Sequence, residues 1–102
     1  MLNVFCIAGK IAKEPEVRET PGGIKMTSLH IDVERPFANA QGVYENDTVE
    51  VEVWRGMAEV VQSCSKGTWV TVKGRIASRP TVKDGRTYSN YAFVAERVDI
   101  LR

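Results

Sequence analysis

The sequence predicts an all-β domain: five strands closed into a Greek-key barrel, with one short helix between strands three and four. Three observations carry this. Several stretches alternate apolar and polar residues with a period of two, the mark of half-buried strands. A single stretch, RGMAEVVQSCSKG at 55–67, instead repeats its apolar residues at helical spacing. Glycines interrupt the first and fourth strand-like runs, where a small closed sheet has to bend.

In chain order, NVFCIAGKIA (3–12) is an apolar run broken at Gly9, and so a bent or bulged strand. Pro15, Pro21, Gly22 and Gly23 mark the next segment as a turn-rich connection. TSLHIDVE (27–34) alternates, with Thr27, Leu29, Ile31 and Val33 inward and Ser28, His30, Asp32 and Glu34 outward. Residues 36–47, holding Phe37 and Tyr44, read as a loop or mobile hairpin. TVEVEVWR (48–55) then puts Val49, Val51 and Val53 inward and Glu50, Glu52 and Trp54 outward. Met57, Val60, Val61 and Cys64 form one face of the helix, closed by Lys66-Gly67. TWVTVKGRIASR (68–79) places Val70, Val72 and Ile76 inward, Trp69, Thr71, Lys73 and Arg75 outward, and bends at Gly74. Asp84-Gly85 is a hairpin turn, and NYAFVAERVDIL (90–101) is a last strand of unassigned facing. A helix between strands three and four is the connectivity of an OB-fold. An SH3-like barrel or a β-sandwich needs no helix there.

The 102 residues fit one domain, 1–102, with a modest core. Hydrophobic content of 43% and charged content of 26% are ordinary for a globular chain. No apolar run reaches the roughly 20 residues of a membrane helix, and the N-terminus lacks a secretory leader's pattern. A cytoplasmic, nucleoid-associated protein is expected. Cys6 and Cys64 read as two buried free thiols; with the lone His30 they make no four-ligand metal site. No metal, cofactor or catalytic residue is expected, since no nucleophile has a positioned base beside it.

Net charge is only +1, yet RIASRPTVKDGRTYSNY (75–91) gathers Arg75, Arg79, Lys83, Arg86, Tyr88 and Tyr91 into one hairpin. Local charge rather than net charge governs binding to a polyanion. Cations that follow phosphates and rings that stack on bases are what a single strand offers a partner, whatever its sequence. A solvated edge hairpin is the plainer alternative.

GKIAKEPEVRETPGG (9–23) resembles the G-x-(L/I)-x-x-(D/E)-P-E-V-R-x-T-x-x-G signature of the bacterial single-stranded DNA-binding proteins. VEVWRGMAEVV (51–61) and SKGTWVTVKGRIASR (65–79) resemble later stretches of that family, in order over nearly the whole chain. The resemblance implies sequence-tolerant binding of single-stranded DNA in replication, recombination and repair. It also implies self-association, usually as a homotetramer, for which Val4, Cys6 and Val94 are candidate apolar contacts. Phe37 sits where the family has a base-stacking Trp, Trp54 where it has a stacking Phe, and Arg18 where it has a cation near the strand. Two other family tryptophans read here as Thr48 and Thr81.

Trp69 is either a further stacking ring or a ring packed under the helix end or in a subunit contact; Tyr91 reads as core. Lys10, Lys13 and Lys25 are solvated lysines by default, with phosphate contact as the alternative. Acidic Asp32, Glu34, Glu50 and Glu52 on the outward faces should repel phosphates, so weaker and more salt-sensitive binding than a typical member's is expected. Family members continue through a Gly/Pro/Gln-rich linker to an acidic tip that recruits other proteins; these residues stop at Arg102, so that recruitment is not expected of them. Two alternatives stay open. One is a tail-less dimeric accessory factor like the primosomal replication protein. The other is an OB-fold protein-interaction module without nucleic-acid binding.

Overall fold

The computed structural model describes residues 1–101, organised as eight strands and one helix. The strands are β1 (Phe5–Ile11), β2 (Arg18–Glu19), β3 (Lys25–Ala38), β4 (Tyr44–Trp54), β5 (Trp69–Ser78), β6 (Thr81–Lys83), β7 (Arg86–Tyr88) and β8 (Tyr91–Leu101). The helix α1 (Gly56–Gln62) falls between β4 and β5. The five long strands close on themselves in the order β1-β5-β8-β4-β3, with β1 pairing back onto β3. This is the expected OB barrel. Two short additions were not expected: β2 beside β3, and the separate two-stranded β6–β7 sheet. No helix among the described residues is long and apolar enough to cross a membrane.

Closure depends on two residues without a Cβ. Gly9 still pairs with β5, Lys10 pairs with both Trp69 and Asp32, and the pairs Lys10–Asp32 and Ile11–Ile31 shut the barrel onto β3. A methyl group on Gly9 would strike the Asp32 carbonyl. One on Gly74 would strike the Val94 carbonyl and crowd the Phe5 ring, which stands edge-on to Phe93 with centroids 5.2 Å apart. The free edge beyond β1 is completed by a side chain: Asn3 accepts from the Ile76 amide and donates to the Ile76 carbonyl, both at 2.9 Å. That amide copies one rung of a strand ladder.

The interior follows the period-two reading through β3 and β4. Thr27, Leu29 and Ile31 are fully buried against Val51 and Val53, and Val33 and Val49 are packed at the margin. Arg55, at φ 59°, turns the chain straight from β4 into α1, and its amide donates to the Lys25 carbonyl at 2.7 Å. Ala58, Val61 and Cys64 insert into the core, with Met57 packed beside them. Val60, expected inward, is exposed. The helix is also shorter than expected, ending at Gln62, so Gly67 is no cap. Its positive φ instead serves the turn into β5, where its amide donates to the Ile11 carbonyl.

Further expectations fail where the sheet is irregular. Between Lys73 and Gly74 the pairing with β8 slips by one residue, Lys73 facing Arg97 and Gly74 facing Ala95, which leaves Glu96 unmatched. Beyond the slip Ala77 is buried and Ile76 is exposed. Val94, expected on the surface, is buried in β8; Cys6, expected in the interior, is exposed. Tyr91, expected in the core, is 69% exposed at the start of β8. The segment 36–47 is chiefly strand, because β3 and β4 run on as one long hairpin closed at Ala38–Tyr44.

Candidate nucleic-acid interface

The β3–β4 hairpin supplies the candidate platform. Its outward face alternates with the core residues, so Met26, Ser28, His30 and Asp32 lie opposite Trp54, Glu52, Glu50 and Thr48. Trp54 ends β4 beside Met26, whereas Phe37 lies eleven residues farther along β3. At the usual rise per residue the two rings stand up to about 36 Å apart along the strand. They are therefore too far apart to share one pocket. Phe37 is 65% exposed, and Trp54 is half-buried.

Between them a cleft of about 290 Å³ opens under the 13–18 segment, lined by Lys13, Arg18, Ser28, His30 and Glu50 among others. The Arg18 guanidinium lies 3.5 Å from the Met26 sulfur. β2 holds Arg18 there by pairing it with Met26. His30 faces Glu50 across the hairpin at 3.8 Å.

Three of the four outward acids, Asp32, Glu50 and Glu52, have side-chain partners among the described residues. Asp32 accepts from the Thr48 hydroxyl at 2.6 Å. Glu52 takes both the Trp54 indole N–H at 3.1 Å and the Arg79 guanidinium at 3.0 Å. Farther along, Arg35 holds Asp47 at 2.9 Å and Glu45 at 3.6 Å. The Asp47 hydrogen bond and charge raise the Arg35 pKa further above the usual guanidinium value. Glu52, Asp47 and Glu45 are thus each paired with a guanidinium, whereas Asp32 meets a neutral hydroxyl that leaves its charge in place.

The 79–91 segment projects as an arm. Asp84 at φ 53° and Gly85 at φ 74° make the two-residue turn that needs positive φ at both positions, which asparagine, aspartate and glycine supply. The pairs Thr81–Tyr88 and Lys83–Arg86 alternate with Val82–Thr87. Lys83, Arg86 and Tyr88 therefore share one face of the arm. Its root is pinned by the Arg79 amide on the Asn90 carbonyl at 2.7 Å and by Asn90 on the Thr81 hydroxyl at 2.7 Å. Arg75 is exposed on β5 below that root.

Over residues 2–101 the chain matches the single-strand binding protein family. It belongs to that family. The single-stranded DNA-binding protein of Oceanobacillus iheyensis is 37% identical over 103 residues, which cover 99% of this chain and 64% of that protein. Single-stranded DNA-binding protein 2 of Staphylococcus aureus is 38% identical over 99% of this chain and 74% of its own length. A crystal structure of a deletion mutant of the Thermus aquaticus single-stranded DNA binding protein superposes with a TM-score of 0.81 at 28% identity, covering 99% of this chain and 51% of that one. The chain thus spans somewhat under two-thirds of the Oceanobacillus relative and about half of the Thermus one.

Within the single-strand binding fold, the predicted residues fall into three groups. Trp54, Arg79 and the root of the arm are joined through Glu52. Lys83, Arg86 and Tyr88 lie on the arm, and Phe37 at the far end of the platform. Trp69 belongs to none of the three: it sits on the β1–β5 flank, half-exposed, under the Lys10 ammonium 5.4 Å from its ring centroid. The two threonines in place of family tryptophans have polar work, Thr48 holding Asp32 and Thr81 holding Asn90. Arg35 and Glu52 are the participants that strand periodicity passes over. Each looks like an ordinary outward charge until its partner on another strand is known.

Proposed function

We propose that this domain grips single-stranded DNA without reading its sequence, as a non-catalytic factor in replication, recombination and repair. The exposed Phe37 ring and the half-buried Trp54 ring of the β3–β4 hairpin carry the reading, with a cationic arm whose root reaches the Trp54 end through Arg79 and Glu52. Phe37, Trp54 and Tyr88 are assigned to stacking. Arg18, Arg75, Arg79, Lys83 and Arg86 are assigned to phosphates, and Trp69 is a further candidate on the neighbouring flank. Stacking and phosphate contact ignore base identity, because every base has a π-face and every nucleotide a charge.

The test is fluorescence titration with oligo-dT across salt concentrations. Trp54 emission should be quenched, and the logarithm of affinity should fall linearly with that of salt. Absence of quenching at low salt would remove the reading and leave a protein-interaction module. A matched oligo-rU series reports whether RNA is also held. The domain is further proposed to assemble as a homotetramer through its apolar flank, where Val4 and Ile76 are exposed. A stable mass of two chains would favour the dimeric accessory-factor reading instead.

A further inference from the structure

We infer that Glu52 is a positioning residue of the single-strand grip: it holds the Trp54 ring in place and occupies Arg79 until a phosphate takes that guanidinium over. The inference rests on the reading above and adds a residue of the wrong charge to it. One carboxylate oxygen of Glu52 accepts from both the Trp54 indole at 3.1 Å and Arg79 at 3.0 Å. The Glu52 side chain is only 20% exposed, so its position is defined by packing as well as by its partners. A half-exposed tryptophan otherwise turns about two side-chain torsions. An acceptor two residues back on the same strand face restrains that motion. Ordering the ring before the base arrives removes part of the entropy cost of stacking.

The Arg79 end of the contact couples two elements. Arg79 begins the β6–β7 arm, where its amide is bonded to Asn90, while Glu52 lies on β4. The ion pair therefore lays the arm's root against the platform beside Trp54. A phosphate is a competing acceptor for the same guanidinium and can take two of its N–H groups where Glu52 takes one. Arg79 is about half exposed, so its pair with Glu52 is weak enough to be exchanged. Exchange would free the arm's root at the moment Trp54 acquires a base.

Five proteins in a Trp69→Phe background, which leaves Trp54 as the sole tryptophan, test this: the parent, Glu52→Gln, Glu52→Ala, Arg79→Ala and the double variant Glu52→Gln with Arg79→Ala. Glutamine keeps an acceptor for the indole but loses the charge that competes with phosphate. Glu52→Gln is expected to bind oligo-dT about two- to five-fold more tightly at low salt, the scale of one exchanged surface pair. Its salt slope should steepen by up to about 0.7, one further phosphate neutralised on a single strand. Both gains should vanish when Arg79→Ala is added. A gain of the same size in the Arg79→Ala background would mean simple removal of negative charge and would overturn the exchange. Steady-state anisotropy of Trp54 in the free protein reads the positioning. It should be kept by Glu52→Gln and lowered by Glu52→Ala, and equal anisotropy in all three proteins overturns that part. A parent that binds no oligo-dT sinks the proposed function and the inference with it. A parent that binds normally while Glu52→Gln changes nothing overturns the inference alone.

Discussion

At the residue scale, stacking and closure make separate demands. Phe37 and Trp54 present rings and contribute no fully buried side chain, so removing either should spare the fold. Phe37→Ala and Trp54→Ala are each expected to weaken oligo-dT binding by about 1–3 kcal/mol with an unchanged thermal midpoint. Isothermal titration and thermal unfolding check this together. Gly9 is the opposite case. Gly9→Ala drives a methyl group into the Asp32 backbone and should lower the unfolding free energy from denaturant titration by an amount typical of overpacking, about 1–3 kcal/mol. The glycine could be read from the sequence because it interrupts an apolar run. The core reading of Tyr91 and the buried-thiol reading of Cys6 fail for a shared reason. Period two sorts a strand into two faces, but which face the barrel covers is settled by neighbouring strands.

At the element scale, the arm is tied to the barrel at its root. Among the described residues its two strands pair only with each other, while Arg79 reaches Glu52 on β4. Lys83→Ala and Arg86→Ala should each reduce the steepness of the salt slope by about 0.7 while leaving stability untouched. Tyr88→Ala should weaken binding at every salt concentration with its slope intact. The arm's turn could be read from the Asp84-Gly85 pair alone, since few residues tolerate two consecutive positive φ values. The slip at Gly74 could not, because the unmatched residue, Glu96, belongs to the partner strand.

The helix bears a separate pH prediction. The Lys25 ammonium reaches Glu59 at 3.0 Å, and this hydrogen bond, with the Glu59 charge, raises its pKa above the ordinary lysine value. A raised folded-state pKa stabilises fully below the unfolded value, and the benefit is lost as pH rises through the folded one. Wild type should therefore lose thermal midpoint relative to Lys25→Met only above the ordinary lysine pKa of 10.5, with no difference in pH dependence near neutrality. The pair is exposed, so added salt should shrink the effect.

For the whole molecule, closure makes a single core from residues scattered along the chain. Leu29, Ile31, Val51, Val53, Val61 and Val70 are all sealed from solvent in one cluster. Leu29→Ala is expected to cost about 2–5 kcal/mol in equilibrium unfolding. Assembly belongs to this scale as well. Native mass measurement should give four times the 11.4 kDa of one chain, with or without oligo-dT. The charge balance also changes meaning at this scale. In the linear sequence Asp32, Glu50 and Glu52 are a repulsive row. In the barrel Thr48, His30 and Arg79 meet them from other positions along the chain.

Alternation, one helical segment and two well-placed glycines were enough to determine the barrel, the helix's place in it and the arm's turn. Each of these is a local preference that a few neighbouring residues express on their own. Tertiary structure alone decided which face of each strand is covered, where the β5–β8 ladder slips, and that Trp54, Glu52 and Arg79 meet. Those outcomes depend on pairing across strands, where residues distant in sequence come within hydrogen-bonding range and no local pattern records the encounter.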